Sequence, residues 1–256
     1  MKFKIPGFSY PGGKVRLRKW LVSMMPKTGG TYVEPFAGRG NVFWYAACAL
    51  KFDSWWLNDP IMLPFFNAIK DIDLAEIPIA LTPNEANRMA LESRSNNPSN
   101  LSLVMSPRIM FSGGCRSGNR TVIRTSKTSI HKFRSRLYKN TLQMAKRILR
   151  WVNPSITEIL WDQLCIDDLS KDDFCYLDPP YYQNNAGYEL DTIDHPSFLK
   201  RVKQLSCRWL LSGYDSTLYR DQLGTPLRTR EVSLFQSRLY GKATRTTRIE
   251  CVWRNY

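Results

Sequence analysis

Apolar positions fall into short runs separated by glycine, proline and acidic punctuation at both ends of the chain. Thr31 to Phe36 is a short β-branched and apolar run ended by Gly38 and Gly40, and Asn41 to Leu50 follows as an apolar stretch of helical length. That succession predicts a strand, a glycine turn and a helix. Trp55-Trp56-Leu57 predicts a second strand ending at Asn58-Asp59, and Pro60 to Lys70 a second helix with proline in its first turn. Toward the other end, Asp173 to Leu177 predicts a strand halted by Asp178-Pro179-Pro180. A helix over His195 to Leu205, a strand over Trp209 to Leu211 and a final strand over Arg248 to Trp253 complete the pattern. Strands alternating with helices predict an α/β domain with a mainly parallel sheet.

The segment 82–151 breaks that rhythm. It opens with a polar helix candidate, passes through the glycine-, serine- and arginine-rich stretch Phe111 to Arg136, and ends in a basic helix over Leu137 to Trp151. The expected organisation is therefore a domain built from 1–81 and 152–256, interrupted by an inserted, mostly helical lobe over 82–151. A chain of 256 residues has enough apolar material for one substantial core and such a lobe.

Charge sharpens the picture of the lobe. The net charge is +15, and no acidic residue stands between Glu92 and Glu158. Arg108, Arg116, Arg120, Arg124, Lys127, Lys132, Arg134, Arg136, Lys139, Lys146, Arg147 and Arg150 all fall within that gap. A basic block without carboxylates is the footprint of a polyanion binder, because neutralising phosphates releases condensed counterions whatever the base sequence. An anionic membrane surface fits less well, since no segment with a broad apolar face accompanies the charge. The longest apolar run, Val42 to Leu50, is nine residues, well short of the roughly 18 that a membrane span needs. The N-terminal residues carry no secretory signal pattern, so a cytoplasmic protein is expected. Six scattered cysteines without a CxxC pair, and two distant histidines, suggest neither a disulfide framework nor a metal site.

Two motifs carry candidate chemistry. Phe36-Ala37-Gly38-Arg39-Gly40 stands between a predicted strand and helix, the context in which a ligand meets close backbone and free amides at a helix N-terminus. Such a turn is also common structural punctuation. Asp59 favours the ligand reading, because an acid at the end of the next strand can accept both hydroxyls of a ribose. Glu34 just before the loop can accept from an ammonium group, and no Gly-Lys-Ser/Thr follows to make a phosphate loop. A ligand with a ribose and an amino-acid ammonium group fits. Asp178-Pro179-Pro180-Tyr181 is the second motif. Its prolines deny the chain both helix and ladder, leaving a carboxylate beside carbonyls that lack regular partners. Asp178 and the Pro179 carbonyl can each take one hydrogen of an exocyclic amine, and Tyr181 offers a face on which a base stacks, worth about 1–3 kcal/mol.

Tyr10-Pro11-Gly12-Gly13-Lys14, Glu34-Pro35-Phe36-Ala37-Gly38-Arg39-Gly40, Asp59 and Asp178-Pro179-Pro180-Tyr181 occur in the order seen in the Dam-like DNA adenine methyltransferases of bacteria and phages, which the chain resembles from about Phe8 to Trp253. The resemblance implies a Rossmann-like sheet that binds S-adenosyl-L-methionine, with the donor met by Tyr10, Lys14, Glu34, Phe36, Gly38, Gly40, Asp59 and Asp178. It also implies catalysis by Asp178, Pro179, Pro180 and Tyr181 on an adenine flipped out of double-stranded DNA. The lobe over 82–151 would recognise the target. Gly114-Cys115-Arg116 resembles the stretch whose arginine reads a guanine, although its flanks depart from the family pattern. Arg120, Arg124, Lys127, Lys132, Arg134 and Arg136 are expected to contact DNA with it, mostly through phosphates. No metal and no obligate protein partner are implied. An RNA adenine methyltransferase, and a DNA-binding regulator without catalysis, are the other functions that these residues would suit.

Overall fold

A computed structural model describes residues 4–10, 12–109, 131–132, 135–182, 193–236 and 244–256. Helix α1 (Arg18–Val22) leads into β1 (Thr28–Glu34), α2 (Phe43–Ala49), β2 (Lys51–Asn58) and α3 (Leu63–Asp71). The short strand β3 (Ala80–Leu81) is followed by α4 (Pro83–Glu92), α5 (Asn100–Ile109), β4 (His131–Lys132) and α6 (Ser135–Val152). Then come β5 (Ser155–Thr157), β6 (Phe174–Leu177), α7 (His195–Gln204), β7 (Arg208–Tyr214), α8 (Thr217–Leu223), β8 (Arg228–Gln236) and β9 (Thr244–Arg254).

Seven strands form one sheet in the order β5-β2-β1-β6-β7-β9-β8. The first five in that order are parallel, and β9 runs antiparallel between β7 and β8. This is the Rossmann-like, mostly parallel sheet that the sequence predicts. Strand order reverses between β1 and β6, so the loops leaving their carboxyl ends diverge and open a crevice, the usual ligand position in such sheets.

Period-two alternation explains why both faces are covered. Tyr32, Phe174, Tyr176, Leu210 and Val252 enter one core with side chains of α2 to α6, among them Phe43, Phe66, Met89, Met105 and Leu142. Their neighbours Val33, Cys175, Leu177, Leu211, Cys251 and Trp253 enter a second core beneath α7 and α8. The helices of the segment 82–151 thus share the core of α2 and α3.

Several elements differ from expectation. Strand β1 begins three residues early, at Thr28, with Gly29 and Gly30 inside it, and ends at Glu34 rather than Phe36. Helix α3 begins at Leu63 with Pro64 in its first turn. Pro60 lies instead in a turn tightened by the Asp59 carboxylate, whose Oδ1 accepts the Ile61 N–H at 3.1 Å. Helices α1, α5 and α8 and strands β3, β4, β5 and β8 have no counterpart in the sequence pattern. Strand β8 is an edge strand whose first half, Arg228 to Glu231, is polar and charged, a composition that discourages pairing with further chains, and only Val232 among its described side chains packs on the core.

Asn58, buried at the end of β2, ties the carboxyl ends of three strands together. Its Nδ2 donates to the carbonyls of Pro35 (3.0 Å) and Ile159 (2.9 Å). Its Oδ1 accepts from Thr157 Oγ1 (2.8 Å) and the Ile159 N–H (2.9 Å). Asn58→Ala leaves these buried groups unsatisfied and is expected to destabilise the protein by about 2–4 kcal/mol, since each orphaned buried group costs about 1–3 kcal/mol. Urea unfolding measures it; a loss under about 1 kcal/mol would contradict the role assigned to this side chain.

Candidate active site

The N-terminal segment is tied to the residues of and after the glycine loop. Asn41 clamps that segment through two bonds, accepting the Phe8 N–H at 2.9 Å and donating to the Phe8 carbonyl at 2.8 Å. The buried Arg39 guanidinium donates to the Ser9 carbonyl and to Ser106 Oγ, both at 2.6 Å. Tyr10 is thereby laid against the glycine loop. A Cβ on Gly38 would stand 2.7 Å from Tyr10 Cε1, and Gly38 has φ +52°, so glycine is required there on two grounds.

The loop's amides are not free, contrary to expectation. Gly38 N–H donates to Asp59 Oδ2 at 2.9 Å, Gly40 N–H donates to the Ala37 carbonyl at 2.8 Å, and α2 begins only at Phe43. The physical reason is the tight turn itself, which folds these N–H groups back onto nearby acceptors. The loop therefore offers close backbone approach and a fixed carboxylate. Burial pushes the Asp59 carboxyl up to about 6, against the pull of the Ile61 and Gly38 N–H bonds. Glu34 is buried at the end of β1 and accepts the Tyr32 hydroxyl at 2.5 Å. Burial pushes its carboxyl up to about 8, only partly offset by that bond, and Asp178 adds to the rise. The Phe36 ring stacks on Trp161 at 5.1 Å over the second core.

Asp178 stands one residue past β6, on the other side of the switch point. Its Oδ2 is 3.0 Å from Lys14 Nζ, and its Oδ1 accepts the Ser212 hydroxyl at 2.9 Å. Ser212 is within 2.9 Å of the Tyr176 hydroxyl. Lys14, 6% exposed, also donates to the Gly12 carbonyl at 2.8 Å and lies 3.9 Å from Glu250 Oε1. Burial opposes its charge, yet Asp178 and Glu250 together hold the ammonium above the usual lysine value. Tyr181 is buried, with Lys14 Nζ 4.6 Å from its ring centroid and the Tyr214 ring at 4.4 Å, nearly perpendicular. Its hydroxyl donates to Glu250 Oε1. Glu250 is itself pushed up to about 7, chiefly by burial and further by Asp178, while Lys14 and the Tyr181 bond pull it down.

The structure thus brings Lys14, Glu34, Asp178 and Tyr181 to one crevice, with Tyr10, Gly38, Gly40 and Asp59 at its β1 side. Sequence reasoning missed Ser212, Tyr214 and Glu250. Their signal is one of phase: Glu250 keeps step with the core residue Val252, and Ser212 and Tyr214 with Leu210. A polar residue in the inward register of a buried strand marks a site. Arg116, Arg120, Arg124, Lys127 and Arg134 lie outside the described residues, as does Pro11. Lys132 pairs through its backbone with Ala80, and Arg136 is exposed in the first turn of α6. Among the described residues no group of three or more His, Cys, Asp or Glu is placed to hold a metal ion, and no helix is long and apolar enough to cross a membrane.

The raised Glu34 carboxyl predicts a pH dependence of stability. Between its ordinary value of 4.5 and about 8 the unfolded chain gives up a proton that the folded chain retains. Folding is therefore opposed progressively as pH rises through that window, by up to about 1.4 kcal/mol per pH unit. Glu34→Gln removes this contribution and is expected to flatten the fall in urea-unfolding free energy between pH 5.5 and 7.5. Equal slopes for the two proteins would show that Glu34 ionises normally. A second expectation concerns Gly38→Ala, which places a methyl group against Tyr10 at a positive φ and should destabilise the protein by about 1 kcal/mol or more in urea unfolding.

No curated protein matches the chain. A family model described as D12 class N6 adenine-specific DNA methyltransferase matches residues 10–221, a span that holds the glycine loop, Asp59 and the Asp-Pro-Pro-Tyr motif. With its Rossmann-like sheet and with that match covering most of its length, the chain belongs to the family of D12 class N6 adenine-specific DNA methyltransferases.

Proposed function

We propose that the crevice between β1 and β6 binds S-adenosylmethionine and an adenine extruded from duplex DNA, and that Asp178 holds the N6 amine for methyl transfer. The observation that carries this is the placement of Asp178 at the switch point, its carboxylate fixed by Ser212 and Lys14. The donor suits the residues present. Asp59 and Glu34 are buried carboxylates held above the ordinary range, and each gains from a hydrogen-bond donor or a cation. A ribose diol supplies the first and an amino-acid ammonium the second. Bound S-adenosylmethionine would supply an electrophilic sulfonium methyl.

The chain's own residues do the rest. The adenine leaves the stack because its N6 is out of reach within the helix. Tyr181 lends its ring to stacking with the base. Asp178 and the Pro179 carbonyl each accept one N6 hydrogen, which draws the nitrogen lone pair out of conjugation with the ring and aims it. Pro180 keeps the turn extended. As the nitrogen becomes positive, the fixed Asp178 carboxylate stabilises that charge without reorganising, and the methylated nitrogen then sheds one proton to it. Catalysis is mainly positioning and preorganised electrostatics.

The segment 82–151 serves as the target-recognition lobe, with Arg116 as base reader and Arg120, Arg124, Lys127, Lys132, Arg134 and Arg136 on phosphates. A bidentate arginine–guanine pair discriminates by about 1–3 kcal/mol. Its support is the run without carboxylates from Glu92 to Glu158.

Asp178→Ala is expected to cut transfer of labelled methyl groups to unmethylated duplex DNA by about a hundredfold or more, as deletion of one preorganised contact does. Donor binding would persist through Asp59 and Glu34. Transfer at the normal rate by that variant would refute the assignment. Asp59→Ala is expected to weaken donor binding at least tenfold, about 1.4 kcal/mol, in a calorimetric titration.

A further inference from the structure

Glu250 lies on β9, beyond the residues 10–221 that match the family, yet its carboxylate reaches the centre of the crevice. It is 2% exposed. Its Oε1 accepts the Tyr181 hydroxyl and is 3.9 Å from Lys14 Nζ. Balancing Lys14 is not a sufficient role for it, because Lys14 already has Asp178 at 3.0 Å and the Gly12 carbonyl at 2.8 Å. The closer contact of Glu250 is with the phenol. Tyr181 is held at its tip by Glu250, over its ring by Lys14, and beside its ring by Tyr214, the residue directly opposite Glu250 in the β7–β9 register. An aromatic ring fixed at its far end cannot swing about its first side-chain bond.

We propose that Glu250 is a positioning residue for methyl transfer: it fixes the Tyr181 ring through the hydroxyl and draws on Lys14, so that Asp178 keeps acceptor capacity for the target amine. This rests on the reading of the site as one for N6-adenine methylation. An ammonium held by Asp178 alone competes with the incoming amine for the same oxygens. A second carboxylate on its far side divides that attraction.

The full-length chain, Glu250→Gln, Tyr181→Phe and the double variant decide the matter. Glu250→Gln keeps the shape and can still accept a hydrogen bond, and Tyr181→Phe probes the contact from the other side should the first variant fold poorly. In protein carrying ¹³C at tyrosine Cζ, the Tyr181 resonance, identified by its loss in Tyr181→Phe, is expected to shift in Glu250→Gln. Single-turnover methyl transfer to unmethylated duplex DNA should slow about tenfold in each single variant, since a misplacement of about an ångström costs up to about a hundredfold. Calorimetric affinity for S-adenosylmethionine should stay within about twofold, and the double variant should be no slower than the worse single one, as expected of residues acting as one unit. An unshifted resonance, a Glu250→Gln rate equal to that of an active wild type, or losses that multiply in the double variant would overturn the inference alone. A wild type that transfers no methyl group to DNA would overturn the reading beneath it, and the inference with it.

Discussion

The burial of one ammonium between two carboxylates is the interaction on which the crevice depends. Lys14 is 6% exposed, and Glu250 is 2% exposed. Removing such charges from water costs several kcal/mol per ion unless each finds close, well-aligned partners. Here the partners come from four separate places: the N-terminal segment brings Lys14, the turn after β6 brings Asp178 and Tyr181, β7 brings Ser212 and Tyr214, and β9 brings Glu250. None of these groups can be buried until the sheet has closed, and once buried each restrains the others. The geometry of the crevice is in that sense a product of the fold's long-range closure rather than of any one loop.

Strand alternation makes this possible. Tyr32, Tyr176, Leu210 and Val252 face one core, so the residues two positions nearer the carboxyl ends of β1, β6 and β7 face the same way. Those residues are Glu34, Asp178 and Ser212, followed by Tyr214. On the antiparallel β9 the matching position lies two residues earlier, at Glu250. The same register that fills the core with apolar side chains becomes a row of polar ones where the parallel strands end. The bonds along it confirm the shared face, from Tyr32 to Glu34, from Tyr176 to Ser212 and from Ser212 to Asp178.

This register also explains what the sequence made legible. The Asp-Pro-Pro-Tyr turn and the glycine loop stand out because proline and glycine are local devices whose consequences can be read without the fold. Strands β1, β2, β6, β7 and β9 were visible for a similar reason, since each is buried and apolar over several residues. Glu250 and Ser212 were not, because a single Glu or Ser in a strand is significant only when its phase and its cross-strand neighbour are known. Strand β8 and helix α1 were hidden by their charge, and the start of β1 by Gly29 and Gly30. The glycine-loop amides illustrate the converse. The motif suggested free donors, yet Gly38 and Gly40 turn theirs inward, one of them onto the very carboxylate expected to bind ribose.

One consequence of the charge distribution joins the crevice to the rest of the molecule. The chain as a whole carries +15, which draws a polyanion to it from a distance. In the crevice Asp178 and Glu250 flank the Lys14 ammonium, while burial keeps the Glu34 carboxyl largely protonated at neutral pH. Under the proposed function the fixed Asp178 carboxylate resists a phosphate, tolerates a neutral base and favours a nitrogen that becomes positive as it is methylated. On the proposed reading, the long-range attraction acts on the DNA backbone and the local carboxylate on the base, two different parts of the same substrate. A catalytic site with the charge of its surroundings would lose that separation, because its own floor would compete for the phosphates that must stay outside.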